Sequence, residues 1–528
     1  MPSRRLSTLF AFAIVATFLV LLGGCHRNAS NTFVLALEAN PDPRALNPLI
    51  AGDAASERFR QLMFNSLMKK DEHFDYVPEL ASNVQTAADG LSVTFTLRDG
   101  VKFHNGKALT SADVKYTFDQ LLASKDSKKS LSFFEGAGDA RQPFITSVET
   151  PDAHTAVFRL RHPWLELFSN LVPIGIIPEG SFAMQEQQPV GTGPYKFVSR
   201  NVPQLFTDFA AFDEYWEGAP QVKSVRVRVM LDPGSQQAGL MSGEVDLAAN
   251  TALTPDTYVN LAKSPSLQLV QSPGANVQYI YMNTESERLK DPRVRQAIAY
   301  AIDREGIIKN LLAGQARIAH SILPPESWAY SEGKVYNYDP AQAKRLLDEA
   351  GLRDPDGDGV RMRFDKPLVF KISATNAVGR QVSTLIQNAL KEIGVPVNIE
   401  SLEDNTMREQ VMQGNYDLNM GRWVGGNQDP IFLRDLFTFL TGKDNYRFNR
   451  SRYSNPELDK VLAEATATAD RTRAKELYAR AQQIVSEDMP MFPLWYWNSI
   501  VVAKKSVGNI QVPPSGDWTF VRNLTVTK

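Results

Sequence analysis

Hydrophobic and polar positions in this chain alternate in short runs and, elsewhere, recur at three- and four-residue spacing, so both strands and amphipathic helices are expected. Phe33, Leu35 and Leu37 alternate with Val34, Ala36 and Glu38, which predicts a strand buried on at least one face. Leu91, Val93, Phe95 and Leu97 alternate with Ser92, Thr94 and Thr96, the pattern of a half-buried strand; Asp99-Gly100 turns the chain, and Val101 and Phe103 resume extension. Thr110 and Asp113 frame a capping arrangement for a helix whose stripe is Val114, Phe118, Leu121 and Leu122. Val225, Val227 and Val229 alternate with Arg226 and Arg228 and predict a further strand.

The second half is written mostly in helices. Asp291 caps and Pro292 opens one that carries Val294, Ala297, Ile298, Ala301 and Ile302. Asp339-Pro340 starts another, through Ala343, Leu346, Leu347 and Ala350 to a stop at Gly351. A strand over 366–373, a helix over 379–393 ended by Gly394, and a strand through Val395, Val397 and Ile399 together predict a βαβ unit. Asn455-Pro456 caps one more helix, and the last long one carries Leu477, Ala481, Ile484 and Val485 before Pro490.

Length and charge bound the rest. At 528 residues the chain exceeds what one core serves, so two or three domains are expected. Its 57 Lys+Arg against 59 Asp+Glu offer no basic footprint for nucleic acid or for a membrane surface. Residues 1–24 read as a signal segment: Arg4 and Arg5, an uncharged apolar run over 9–22, then Leu22-Gly23-Gly24 before Cys25. Cys25 is the only cysteine and stands at the cleavage junction, so it is expected to become a lipidated N-terminus, with 25–30 as its linker; two or more acyl chains there hold a protein stably at a membrane.

Two stretches carry a family likeness. Val190-Gly191-Thr192-Gly193-Pro194-Tyr195-Lys196-Phe197 is a tight turn feeding a strand, in which Gly191 and Gly193 allow backbone angles closed to other residues and Pro194 fixes φ. It resembles the Gly-Thr-Gly-Pro-Tyr signature of the large solute-binding lipoproteins of ABC importers for peptides, nickel and related solutes. Leu97 to Gly106 (Leu-Arg-Asp-Gly-Val-Lys-Phe-His-Asn-Gly), Tyr215-Trp216-Glu217-Gly218-Ala219-Pro220, Gly243-Glu244-Val245-Asp246 and the run around Arg293 to Ile298 match the same family in order. The resemblance implies an α/β, two-lobed periplasmic-binding-protein-like fold of type II, in the large peptide-binding class. A first lobe of 31–75, 191–282 and 491–528, an inserted domain of 76–190 and a second lobe of 283–490 follow from it.

It also implies where a solute binds. Leu46-Asn47-Pro48 resembles the opening of a ligand-facing loop, which makes Asp53 a candidate or else part of a surface loop. Tyr281 and Asn283 close a strand that resembles the crossing between lobes. In the run from Gly421 to Pro430, Arg422 suits a carboxylate, and Trp423 suits either a pocket wall or a core position. Gly426, Asn427 and Asp429 lie in the same run. Peptide-binding relatives carry an acidic residue where Gly426 stands, to receive an α-amine. Either Asp429 or Asp53 replaces it here, or the solute has no free α-amine. Trp495 and Trp497 lie where relatives return to the first lobe near the cleft.

Positive signs of an enzyme are missing: no nucleophile elbow, no His-Glu-x-x-His, no phosphate loop, and six scattered histidines. Asp354, Asp356, Asp358 and Asp365 fall at positions 1, 3, 5 and 12 of a calcium-loop pattern, but position 12 is not Glu and a strand follows where a second helix is needed, leaving calcium or a solvated turn. The expectation is therefore a monomeric, lipid-anchored, extracytoplasmic binding protein without catalysis or cofactor, with a permease as partner and a small solute, foremost a short peptide, as cargo. A sugar, metal chelate or opine-like solute, a sensor or chaperone role, and a surface hydrolase are the alternatives.

Overall fold

The computed structural model describes residues 32–135, 141–164, 166–249, 253–425, 429–439, 446, 448–468 and 470–527. The signal segment and Cys25 lie outside them, as do Gly426 and Asn427.

Two large sheets organise the chain. The first has seven strands in the order Tyr195–Asn201, Phe206–Ala211, Ser224–Val229, Phe33–Leu37, Leu247–Ala249, Ser499–Lys504 and Leu267–Ser272. Phe33–Leu37 runs parallel to both of its neighbours and is covered on both faces. The second has six strands, Ala316–Ile318, Met491–Trp497, Val277–Met282, Leu418–Trp423, Leu368–Ser373 and Val397–Leu402. Leu368–Ser373, the helix Ala377–Glu392 and the parallel strand Val397–Leu402 form the βαβ unit that the spacing predicts.

A third, antiparallel sheet lies within the stretch expected to be inserted: Ala81–Thr86, Ser92–Leu97, Thr155–Leu160 and Ile145–Asp152. Its core joins that of the first lobe, with Phe158 edge-on to Phe95 at 5.1 Å and to Phe118 at 4.8 Å. The helix Ser111–Ala123 starts where the pattern puts it, the Asp113 carboxylate accepting the Thr110 N–H at 2.9 Å. Asp291 and Asp339 likewise cap Pro292–Ala301 and Pro340–Glu349.

Two details depart from the sequence reading. Val277–Met282 and Met491–Trp497, assigned there to the first lobe, pair side by side inside the six-stranded sheet. The chain therefore crosses between sheets at 273–276 and again at Asn498, where Trp497 N–H donates to the Asn276 carbonyl at 2.9 Å. All six residues of Val277–Met282 are buried, as a central strand covered on both faces requires, and such a run does not reveal which sheet it will join.

Gly191 and Gly193, which allow backbone angles closed to other residues, have no left-handed φ. They are glycines because the chain presses on the Met63-Phe64 backbone: a Cβ on Gly193 would sit 2.4 Å from the Met63 carbonyl carbon, and one on Gly191 2.2 Å from its oxygen.

Candidate functional site

In sheets with parallel strands, binding crevices lie beyond the carboxyl ends of the strands. Glu38 stands one residue past Leu37, the end of the central strand of the first sheet, and Arg422 lies near the end of Leu418–Trp423, central in the second. Each lies near enough to the other to favour its charged form. Burial pushes the Glu38 carboxyl up, opposed first by its own backbone N–H and then by the fields of Arg58 and Arg422. Arg422 is reached by water yet ringed by protein, so desolvation lowers its pKa and Glu38 works against that shift.

Further along the cleft the lobes touch. Tyr76 donates its hydroxyl to Asp429, whose other oxygen accepts the Ile431 N–H at 3.0 Å. Arg434 reaches Glu166 at 2.9 Å, and Arg471 pairs with Asp75. Lys70 sits over the Tyr76 ring at 5.5 Å; burial lowers its pKa, and the fields of Asp429 and Asp517 oppose that. Burial raises the Asp435 carboxyl to about 6, with Arg434 pulling the other way. Arg58 pairs with Asp517 at 3.6 Å on the first-lobe side.

An aromatic wall backs the second-lobe side. Trp423 is half-buried, edge-on to Phe432 at 4.8 Å, and donates Nε1–H to the Tyr281 hydroxyl at 3.2 Å. The Arg450 guanidinium lies 5.7 Å from the Trp423 ring centre. Trp423 is thus both rim of the core and wall, since alternate residues of its strand turn to opposite faces.

Several expected site residues have other work. Tyr281 is fully buried and donates to the Phe448 carbonyl at 3.3 Å. Asn283 spends its amide on the carbonyls of Gly414 and Tyr416 and accepts the Glu285 N–H, which fixes a turn. Asp53 is the N-cap of Ala54–Met63, one oxygen accepting from Ser56 N–H at 2.9 Å and the other from Ser56 Oγ at 2.6 Å. Trp495 is 1% exposed and belongs to the core; Trp497, half-buried, donates Nε1–H to Gln278 Oε1 at 3.2 Å beside the crossing. Asp429 accepts from Tyr76 and from the Ile431 N–H.

Asp354, Asp356 and Asp358 do cluster, but Asp354 accepts the N–H groups of Gly357 and Gly359, and Asp358 that of Val360, as in a solvated turn. Asp365 is exposed and outside the cluster. A cavity of about 20 Å³ among His320, Gln482, Phe437 and Met491 lies in the second-lobe core and has room for one water molecule. Glu38, Lys70, Tyr76, Glu166 and Arg434 were missed by the sequence reading. Only Glu38 carried a signal, as the one charge closing an apolar strand.

The family described as Bacterial extracellular solute-binding proteins, family 5 Middle, matches residues 75–445. The chain belongs to this family. Di/tripeptide-binding protein 2 of Pseudomonas aeruginosa is 30% identical over 84% of this chain and 86% of its own length. Oligopeptide-binding protein AppA of Bacillus subtilis is 27% identical over 99% of this chain and 100% of its own. The solved AppA structure, in complex with a nonapeptide, superposes with a TM-score of 0.71 at 26% identity over 94% of this chain and 99% of that one. NikA from Brucella suis, in complex with Fe(III)-EDTA, gives a TM-score of 0.81 at 23% identity, covering 94% and 100%, a likeness of fold. The solute-binding protein therefore has the two-lobed type II fold. The relatives are named as binding proteins, and no helix among the described residues is long and apolar enough to cross a membrane.

Proposed function

We propose that this chain is the lipid-anchored, extracytoplasmic solute-binding component of an ABC importer, which captures a short peptide or a related small solute between its lobes and hands it to the permease. The observation that carries the reading is the cleft itself. Two lobes linked by crossings at 273–276 and Asn498 meet over a charged crevice through Tyr76–Asp429, Glu166–Arg434 and Asp75–Arg471. Strands that cross together form a hinge, and closure about it buries and desolvates the solute while assembling the surface a permease reads. Di/tripeptide- and oligopeptide-binding relatives support peptide as cargo. The lipobox ending in Cys25 supports the anchor. The chemistry is binding, with no bond made or broken.

The test is native mass spectrometry of a Cys25→Ser form purified gently from its own host, with release and identification of the bound solute. A ladder of short peptides is the expected result. Loss of the chain should then abolish uptake of the identified solute by the host, and undiminished uptake would sink the transport reading.

A further inference from the structure

Resting on the reading that the lobes close on a solute, we propose that the seam around Arg434 is a proton-linked latch: closure draws one proton onto the carboxylate pair Glu166 and Asp435, so solute capture strengthens as the surrounding medium turns acid. Arg434 and Asp435 lie on the second-lobe helix Phe432–Phe437, and Glu166 precedes the helix Leu167–Leu171 on the other side of the cleft. Both carboxylates make their nearest approach to the same nitrogen, Arg434 Nη2, Glu166 at 2.9 Å and Asp435 at 3.7 Å. The three side chains are largely withdrawn from water, Arg434 23%, Glu166 26% and Asp435 27% exposed.

One guanidinium nitrogen does not neutralise two carboxylates as fully as one. Arg434 Nε is buried and has no hydrogen-bond partner among the described residues, so the fork is not shared out with one carboxylate on each edge. With the lobes apart, Asp435 has Arg434 and water to itself. Closure changes three things together: Glu166 takes the shorter bond to Nη2, a second negative charge arrives near Asp435, and the facing surface displaces water. Each favours the protonated carboxyl. A proton that binds the closed form more tightly than the open one favours closure in the same measure.

The groups around the pair are occupied. On the second-lobe side Asp429 accepts from Tyr76 and the Ile431 N–H, and Tyr478, on the helix Arg471–Asp488, lies in the field of Arg434 and Glu166 with its phenol held protonated by burial. On the first-lobe side Lys70 sits over the Tyr76 ring, and Asp75 pairs with Arg471. Burial raises the Asp435 carboxyl to about 6, with Arg434 opposing and Glu166 and Asp429 adding to the rise. In the open, solvated state it returns toward the ordinary value of about 3.9. The closed form therefore takes up its proton as pH falls through about 6, and the closed-to-open ratio climbs on the order of 10-fold between pH 7 and pH 5.

The test is single-molecule energy transfer in the Cys25→Ser chain carrying dyes at Lys125→Cys and Lys460→Cys, exposed positions on either side of the cleft, without added solute at pH 7, 6 and 5. The closed-to-open ratio of the parent should rise on the order of 10-fold across that range. Asp435→Asn, neutral at every pH, should show the acid ratio already at pH 7 and no slope. Glu166→Gln loses the bridge together with the like charge, so it should be more open at pH 7 and should also lose the slope. Both side chains lie at the seam and outside the hydrophobic cores, so thermal melts at pH 7 should stay within a few degrees of the parent. If Asp435→Asn does not fold, Glu166→Gln carries the test alone. His73, two residues before Asp75, is intact in both variants, so a slope that survives in them belongs elsewhere and overturns the latch. A level ratio in the parent overturns it as well. If that parent still closes on its co-purified solute, the carrier reading stands; if it shows one lobe state throughout, that reading falls with the latch.

Discussion

His104 donates from Nε2 to the Gly193 carbonyl at 3.0 Å while its Nδ1 accepts the Gly191 N–H at 3.2 Å. The two most specific stretches of the sequence are thus bolted together by one imidazole, held in a single neutral tautomer because Nδ1 has no proton to give. Phe212 packs edge-on at 5.2 Å and helps keep the ring dry.

That arrangement makes stability depend on pH. Burial pushes the His104 pKa down to about 4, against the backbone carbonyl of Gly193, while the unfolded imidazole takes a proton near 6.5. Between those values the unfolded chain binds more protons, so this contribution is complete above pH 6.5 and is lost as pH falls toward 4, by up to about 3 kcal/mol. Denaturant titrations at pH 7, 5.5 and 4.5 should show the decline, and His104→Gln should flatten this part of it. A variant that keeps the parent's slope would remove His104 as its cause.

Gly193→Ala should destabilise the fold by on the order of 3 kcal/mol, because the added methyl meets the Met63 and Phe64 backbone at 2.4 and 2.6 Å, where no side chain can swing aside. Gly52→Ala, whose nearest neighbour would be Lys128 Cβ at 3.8 Å, is the control and should move the urea midpoint little.

Arg434→Met removes the bridge to Glu166 and should shift the lobes toward the open state by roughly 5-fold, since a partly exposed pair is worth about 1 kcal/mol. Small-angle scattering should report a larger radius of gyration with an unchanged melting temperature. An unchanged radius would show that the remaining cross-lobe contacts suffice.

Arg304 is buried, pairs with no carboxylate among the described residues, and donates to the carbonyls of Ala319 at 2.5 Å, Pro493 at 3.0 Å and Tyr336 at 2.7 Å. Desolvation lowers its pKa to about 10. Arg304→Met leaves those three acceptors without this donor and should cost about 3–5 kcal/mol, read as a lower urea midpoint at constant slope. Arg304→Lys should recover part of the loss.

What the sequence by itself determined is local. Caps such as Asp291 and Asp339, the βαβ spacing around Ala377–Glu392 and the half-buried alternation of Ser92–Leu97 arise from neighbours a few residues apart, and they were legible for that reason. The family signature was legible too, although the cause of its glycines, a close backbone approach, was not. What only the tertiary structure decided is pairing at long range. Val277–Met282 is buried throughout and gave no sign of its sheet; Asp429 met Tyr76, 353 positions earlier, only because the lobes come together. Glu38 and Arg422 came within reach of each other's field by the same means. A side chain's type is written in the chain, but whether its charge is already spent depends on which distant groups folding brings beside it.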